Sequence, residues 1–381
     1  MNLVFVRFKN SKVGGAEKYL TRLKNALEQT EQESASNGED SKQTPPKIEV
    51  FSSGDYGQSP EFRVILPSFF PAFSRFLFFL FSYEKHYRQN PNAIYFSLER
   101  VLHCDIYRAG DGIHKQWLEI KAKGNVWLKF KSYFNPMNPI YTFVESRLFA
   151  NAKIIITNSK MIRDSLIERF GIPPQKIRVI YNGISLPNPL DKTAAKANLC
   201  QKFPILAHKT LVLFVGSGYA RKGVKESLLM LSRISNKNWH FLIVGKEKHQ
   251  KHYENLAKEL GILESVLFLG AQTEVSPFYA ASDIFLFPTT YEPCSNATLE
   301  AASFGNAIIT TKQNGAGELF NQEFLLDSPQ DFIKGGDILT QLLSNPNLLE
   351  ESQKSCSNAV HHLSIQNNLR QTLQIINELK Q

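Results

Sequence analysis

The chain has 381 residues, enough for two cored domains, and 43% of them are hydrophobic, the share of a globular protein. A formal charge of +9 and a pI near 9.2 imply an anionic partner: nucleic acid, acidic lipid headgroups or phosphorylated small molecules. The four cysteines, Cys104, Cys200, Cys294 and Cys356, lack metal-ligand or disulfide-framework spacing, so a zinc module and a small stapled secreted fold are excluded.

In chain order, Leu3–Val6 opens as a strand with no signal-like apolar stretch before it, which predicts a cytosolic setting. A turn with Gly14 and Gly15 follows, then a helix from Ala16 with Tyr19, Leu20, Leu23 and Leu27 on one face. Strand, glycine turn and helix begin a doubly wound α/β domain, although a plain loop fits the same stretch. Residues 29–47 are polar and nearly free of large apolar side chains, and read as a flexible surface insertion. Further strands are predicted at Ile48–Phe51, Ala93–Ser97, Asp105–Arg108 and Ile154–Thr157.

Two segments interrupt this rhythm. Phe69–Phe81 is phenylalanine-rich but too short to span a bilayer, and is either a deeply buried helix or an apolar lip that touches lipid. Residues 114–134 interleave Lys115, Lys121, Lys123, Lys129 and Lys131 with Trp117, Trp127, Phe130, Tyr133 and Phe134, against one acid, Glu119. That mixture suits an anionic membrane surface or a packed amphipathic helix. Nucleic acid is the less favoured partner, because no recognisable binding module accompanies the lysines.

Past a turn at Tyr181-Asn182-Gly183, strands are predicted at Leu211–Val215, Phe241–Val244, Val266–Leu269, Ile284–Phe287 and Ala307–Thr310. Alternation with helices predicts a second parallel sheet covered on both faces, and a helical end from about Asn347. The expected domains are 1–183, 184–360 and a C-terminal helix over 361–381 that packs back on the first. Two doubly wound domains predict a cleft gripping ligand between strand-end loops.

The chemistry concentrates in the second half. Gly216 through Gly223 brings Arg221 and Lys222 beside glycine backbone, and Asn314 through Glu318 forms another glycine turn. Glu292 and Glu300 flank a loop and a helix start, where Ser295 or Asn296 is the cap. The N–H groups of Asn296, Ala297 and Thr298 there are a candidate anion site. Cations beside a helix start neutralise a diphosphate, and carboxylates accept hydroxyl bonds; a nucleotide sugar carries both kinds of group. The E-x7-E spacing alone is common by chance.

Together these pieces resemble the retaining glycosyltransferases of family 4, with the two-domain GT-B fold. The resemblance is carried by Gly14-Gly15-Ala16-Glu17, Asn158-Ser159, Tyr181-Asn182-Gly183, Phe214-Val215-Gly216, Arg221-Lys222-Gly223, Val244-Gly245, Phe268-Leu269-Gly270, Glu292 to Glu300 and Gly305 to Thr311. Cys104 to Gly112 and Pro293-Cys294-Ser295-Asn296 are most similar to the lipopolysaccharide-core glucosyltransferase I group.

That resemblance implies a donor-diphosphate site of Arg221 and Lys222, with Gly14, Gly15, Gly216 and the amides of Asn296, Ala297 and Thr298. It implies Glu300 on the ribose, Glu292 on the donor sugar, and Asp111 near the reacting carbon and acceptor. It implies no metal or other cofactor, UDP-glucose as donor, and a lipid-linked glycan such as the lipopolysaccharide inner core as acceptor. The setting it implies is the inner face of the cell membrane, with residues 114–134 against lipid. Front-face attack is the implied route, ahead of Asp111 as a nucleophile. Many family members carry glycine where this chain has Pro293-Cys294-Ser295-Asn296, a departure that bears on the donor sugar. The rival readings are a UDP-sugar 2-epimerase of the same fold and a non-catalytic basic protein that binds membrane or nucleic acid on a degenerate transferase fold.

Overall fold

The computed structural model describes residues 2–8, 19–27, 47–53, 62–63, 69–122, 125–132, 134–187 and 191–379. Gly14, Gly15 and the insertion up to residue 46 lie outside the described residues; Lys47 begins a strand. The chain divides into two compact units, one of residues 1–181 with 368–381 and the other of residues 182–367. The divisions fall at 181/182 and 367/368, against the expected 183 and 360. The second of them lies inside the helix Ile365–Glu378.

The first unit is built on a seven-stranded sheet of β1 (Asn2–Arg7), β2 (Lys47–Ser52), β3 (Phe62–Arg63), β4 (Ile94–Ser97), β5 (Ile106–Ala109), β6 (Ile154–Thr157) and β7 (Ile177–Val179). All pairings are parallel and the order is β3-β2-β1-β4-β5-β6-β7. Strand order reverses between β1 and β4, the place where an open α/β sheet takes its ligand. Helix 19–27 packs Leu20, Leu23 and Leu27 against Leu3, Phe5 and Phe96 in one core, which Ile375 and Ile376 of the C-terminal helix complete. Asn368 fastens that helix by donating from Nδ2 to the Tyr181 carbonyl, and the hydroxyls of Tyr19 and Thr372 are 2.9 Å apart.

The second unit carries β8 (Thr210–Val215), β9 (Trp239–Val244), β10 (Val266–Gly270), β11 (Ile284–Phe287), β12 (Ala307–Thr311) and β13 (Leu325–Leu326). Their order, β10-β9-β8-β11-β12-β13, is again parallel throughout, with the reversal between β8 and β11. Helices on both faces explain why these strands read as continuous apolar runs: Leu211 to Phe214 and Ile284 to Phe287 are all buried. The strands that sequence did not predict, β3, β7 and β13, have two or three residues each, too few to show a period.

Most of the phenylalanine-rich segment becomes part of the helix Ala72–Gln89, which is buried on one side only. Phe76, Phe79, Leu80 and Tyr83 are buried, while Phe69 and Phe81 remain 79% and 73% exposed. The lysine–aromatic stretch forms helices His114–Ala122 and Val126–Ser132. Trp127, Phe130 and Phe134 are exposed there, and the one acid, Glu119, is paired with Arg169 at 2.6 Å. No helix among the described residues is long and apolar enough to cross a membrane.

Candidate functional site

The switch point of the second sheet gathers the motif residues of that unit. After β8 the backbone passes through Gly216 and Gly218 into a single helical turn, Tyr219–Lys222, and leaves it at Gly223. Gly223 has φ +86°, and a Cβ there would lie 2.1 Å from the Pro288 carbonyl oxygen, so only glycine lets this turn press against the loop after β11. Gly216 makes room in a different way: a Cβ on it would meet the Lys222 amine at 2.7 Å. That places Gly216 under the flexible Lys222 side chain, and its φ of +153° is what favours glycine there.

Arg221 joins the two loops. Its backbone carbonyl accepts from the Thr290 amide at 2.9 Å and from the hydroxyls of Thr289 and Thr290 at 3.1 and 3.0 Å. Its guanidinium donates to the Tyr291 carbonyl at 2.8 Å and forms an ion pair with Glu292. Lys222 lies over the Phe287 ring with its nitrogen 5.3 Å from the centroid. Burial pulls its ammonium below lysine's ordinary value; Glu292 opposes the fall and Arg221 adds to it. Lys222 makes no ion pair among the described residues, which leaves its ammonium open to an anion.

Beyond the loop, Ser295 rather than Asn296 caps the helix Asn296–Ser303, accepting from the Thr298 amide at 3.2 Å. A serine cap contributes about 1 kcal/mol to such a helix. It also corrects the expected anion site. Thr298 spends its N–H on the cap, its hydroxyl accepts from Asn314 at 3.0 Å, and the residue is fully buried. The amides of Asn296 and Ala297 remain as the candidates at this helix start. Asn182, just after the division between units, donates to the Cys294 carbonyl at 3.1 Å and to the Asn296 side-chain oxygen at 2.8 Å.

Two residues hold this geometry, one read in sequence only as the start of a glycine turn and one given no part there. The buried amide of Asn314 donates to the hydroxyls of Thr298 and Thr310 and accepts from the backbone of Ser295 and Ala316. It thereby ties loop, helix and the end of β12 together. Glu292 and Asn314 also form a parallel bridge. The second residue is Tyr279, on the short helix Ser276–Ala281, whose buried hydroxyl bonds to Glu300. Burial first, then the charge and hydrogen bond of Glu300, push that phenol well above its ordinary range. Glu300 is therefore held in place by the Tyr279 hydroxyl. Nothing near Tyr279 in sequence marks it; the partner lies twenty-one positions on.

In the first unit Asp111 stands exposed on the turn after β5. Asn158, at the end of β6, donates to the Gly110 carbonyl at 3.0 Å, and Arg100 reaches the Gly112 carbonyl at 3.5 Å. Behind the turn Glu145, fully buried, accepts from Arg100 Nε at 3.2 Å and from the amides of His114 and Lys115 at 2.8 and 3.2 Å. Gly14 and Gly15 lie outside the described residues. Each unit thus presents candidate site residues at the ends of strands at or beside its own sheet reversal.

Residues 13–187 match the family described as Glycosyltransferase Family 4, and residues 196–361 match glycosyl transferases group 1. The chain belongs to the family 4 glycosyltransferases. It shares its GT-B fold with the crystal structure of WaaG, a glycosyltransferase of lipopolysaccharide biosynthesis, at a TM-score of 0.71 and 19% identity over 98% of this chain and 99% of that one. Anabaena HepE in complex with UDP and glucose has the same fold, at a TM-score of 0.69 and 16% identity over 99% of each chain. Among curated proteins, the chain is 25% identical over 236 residues to the lipopolysaccharide glucosyltransferase WaaG of Escherichia coli, covering 60% of this chain and 61% of the relative. It is 30% identical over 195 residues to a Campylobacter jejuni diphospho-undecaprenol N-acetylgalactosaminyltransferase, covering 51% and 50%. The matches span roughly half the length of these curated relatives.

Proposed function

We propose that this protein is a retaining hexosyltransferase that moves glucose from UDP-glucose to a lipid-linked glycan such as the lipopolysaccharide inner core. The observation that carries this reading is the cluster of Arg221, Lys222, Glu292 and Glu300 at one sheet reversal, tied by Asn314 and Tyr279. Arg221 and Lys222 neutralise the diphosphate of the donor and the charge that grows on it as the sugar leaves. Glu300, held by Tyr279, accepts the ribose hydroxyls, and Glu292 exchanges part of its pairing with Arg221 for the donor sugar's hydroxyls. Asn296 and Ala297 offer amides to the phosphates. Asp111 stands beside the acceptor hydroxyl. The acceptor approaches on the leaving group's side, its proton passing to a phosphate oxygen, with no metal required.

The acceptor's lipid anchor calls for a membrane surface. In this reading residues 114–134, with exposed Trp127, Phe130 and Phe134 beside Lys121 and Lys131, rest on anionic lipid at the inner face of the cell membrane. Glucosyltransferase names among the relatives support the donor, and a relative acting on an undecaprenol-linked glycan supports the class of acceptor.

Calorimetric titration with UDP and UDP-sugars, followed by a donor and acceptor screen with mass detection in the presence of a chelator, tests the proposal. UDP-glucose consumption that depends on acceptor and persists in the chelator is the expected result. Acceptor-independent isomerisation of the sugar nucleotide would identify a 2-epimerase instead, and absence of any UDP affinity would leave only a basic binding protein. For the membrane surface, charge reversal at Lys121 and Lys131 is expected to release the protein from anionic vesicles.

A further inference from the structure

The reversal point of the first sheet has its own cavity, of about 280 Å³, lined by Arg7, Arg75, Glu99, Arg100, Asp111 and Tyr141 among others. Arg7 ends β1, Glu99 and Arg100 follow β4, and Asp111 follows β5, so three adjacent strands aim charged residues at the point where such sheets take ligands. Arg75 comes from elsewhere, the first turn of the helix Ala72–Gln89, whose positive end adds to the field there.

The charges at this cavity do not simply cancel. Glu99 lies 3.6 Å from Arg7, and Arg100 is paired from behind with the buried Glu145 at 3.2 Å. Arg75 and Asp111 make no ion pair or side-chain hydrogen bond among the described residues, and Arg75 Nε is buried with no partner. A guanidinium N–H that is hidden from water and unmatched is costly in a folded protein, and such groups call for an explanation. The planar fork of arginine fits the paired oxygens of a phosphate or carboxylate. The volume sits just below the ~300–1,000 Å³ of ordinary small-molecule sites, room for one charged substituent and part of a ring.

We propose that this cavity is an acceptor subsite that grips a phosphate or carboxylate carried by the acceptor glycan. Arg75 makes the principal contact, Arg7 and Arg100 supply the surrounding positive wall, and Asp111 at the rim addresses a neighbouring hydroxyl. The inference rests on the glycosyl-transfer reading above and adds to it that the acceptor is anionic beside the hydroxyl that reacts. Arg75 is then a specificity residue, selecting charged over neutral acceptors.

The test uses the full chain saturated with UDP, so that the donor's phosphate site is filled. Binding of a hexose 6-phosphate and of the neutral parent hexose is measured by calorimetry for the native protein, Arg75→Gln and Arg75→Lys. The phosphorylated sugar is expected to bind at least tenfold more tightly than the neutral one. Arg75→Gln should remove about tenfold to a hundredfold of that affinity, the usual weight of a charge-assisted bond, and Arg75→Lys should restore part of it. UDP affinity on the same samples reports that the second unit is intact. Equal binding of the two sugars, or an Arg75→Gln variant that binds the phosphate as well as the native protein, overturns the proposal. So does loss of binding to phosphatidylglycerol vesicles in Arg75→Gln with the sugar phosphate unaffected, which would assign the site to a lipid headgroup. If UDP binds and the sugar phosphate does not, this inference alone fails; if UDP itself does not bind, the reading beneath fails with it.

Discussion

Both units use an arginine–glutamate pair at the edge of a doubly wound sheet, Arg100 with Glu145 in the first and Arg221 with Glu292 in the second. Their surroundings differ. The side chains of the first pair are 11% and 0% exposed, and Glu145 also accepts from the amides of His114 and Lys115. Those of the second are 35% and 18% exposed, on loops that already have their own backbone bonds. A largely buried pair whose carboxylate accepts three hydrogen bonds acts as a clamp, since breaking it strands a buried charge. A pair open to water exchanges partners at little cost, which is what a ligand site requires. The same two residue types therefore fasten a turn in the first unit, with Arg100 also on the wall of the cavity there, and stand open to a ligand in the second.

The largest test of this contrast is Glu145→Ala, which should lower unfolding stability by about 3–5 kcal/mol in urea titrations, whereas Glu292→Ala should cost about 1 kcal/mol or less. Similar losses from both would erase the distinction. Next in size, Arg221→Ala should reduce turnover about 10²- to 10³-fold with the melting temperature nearly unchanged. A fall in stability of the same weight would make Arg221 a clamp as well. Glu300→Ala should weaken UDP binding about tenfold to a hundredfold, and Tyr279→Phe by a smaller factor, because the carboxylate remains but loses its anchor. Calorimetry separates the two, and a Tyr279 variant with native affinity would show that Glu300 needs no support.

The smallest effect concerns pH. Burial lowers the Lys222 pKa from 10.5, and a bound diphosphate favours the charged amine, so binding takes up a proton once pH exceeds the depressed value. UDP affinity should then be full below that value and decline as pH rises through it toward 10.5. Lys222→Arg, charged throughout, should flatten the profile. A native profile that is already flat would place the Lys222 amine off the phosphates.

Much of this molecule is written in local pattern. Strands such as Ile154–Thr157 and Ile284–Phe287 carry their own apolar runs, so the doubly wound class could be read from sequence, and the family resemblance named Arg221, Lys222, Glu292 and Glu300 as candidates. What sequence left open is every partnership made across distance. Ser295 and Asn296 are equally good caps by residue type, and only the path of the loop decides for Ser295, which removes the Thr298 amide from the anion site. Tyr279 reads as one more core aromatic until the fold lays its hydroxyl against Glu300, and Arg75 as an interruption in a phenylalanine run until the helix turns it into a cavity with Arg7 and Arg100. Hydrophobic periodicity acts within a few residues and survives in any window of sequence. Hydrogen-bond satisfaction and charge matching depend on which elements meet, and that is settled only when the sheets have assembled.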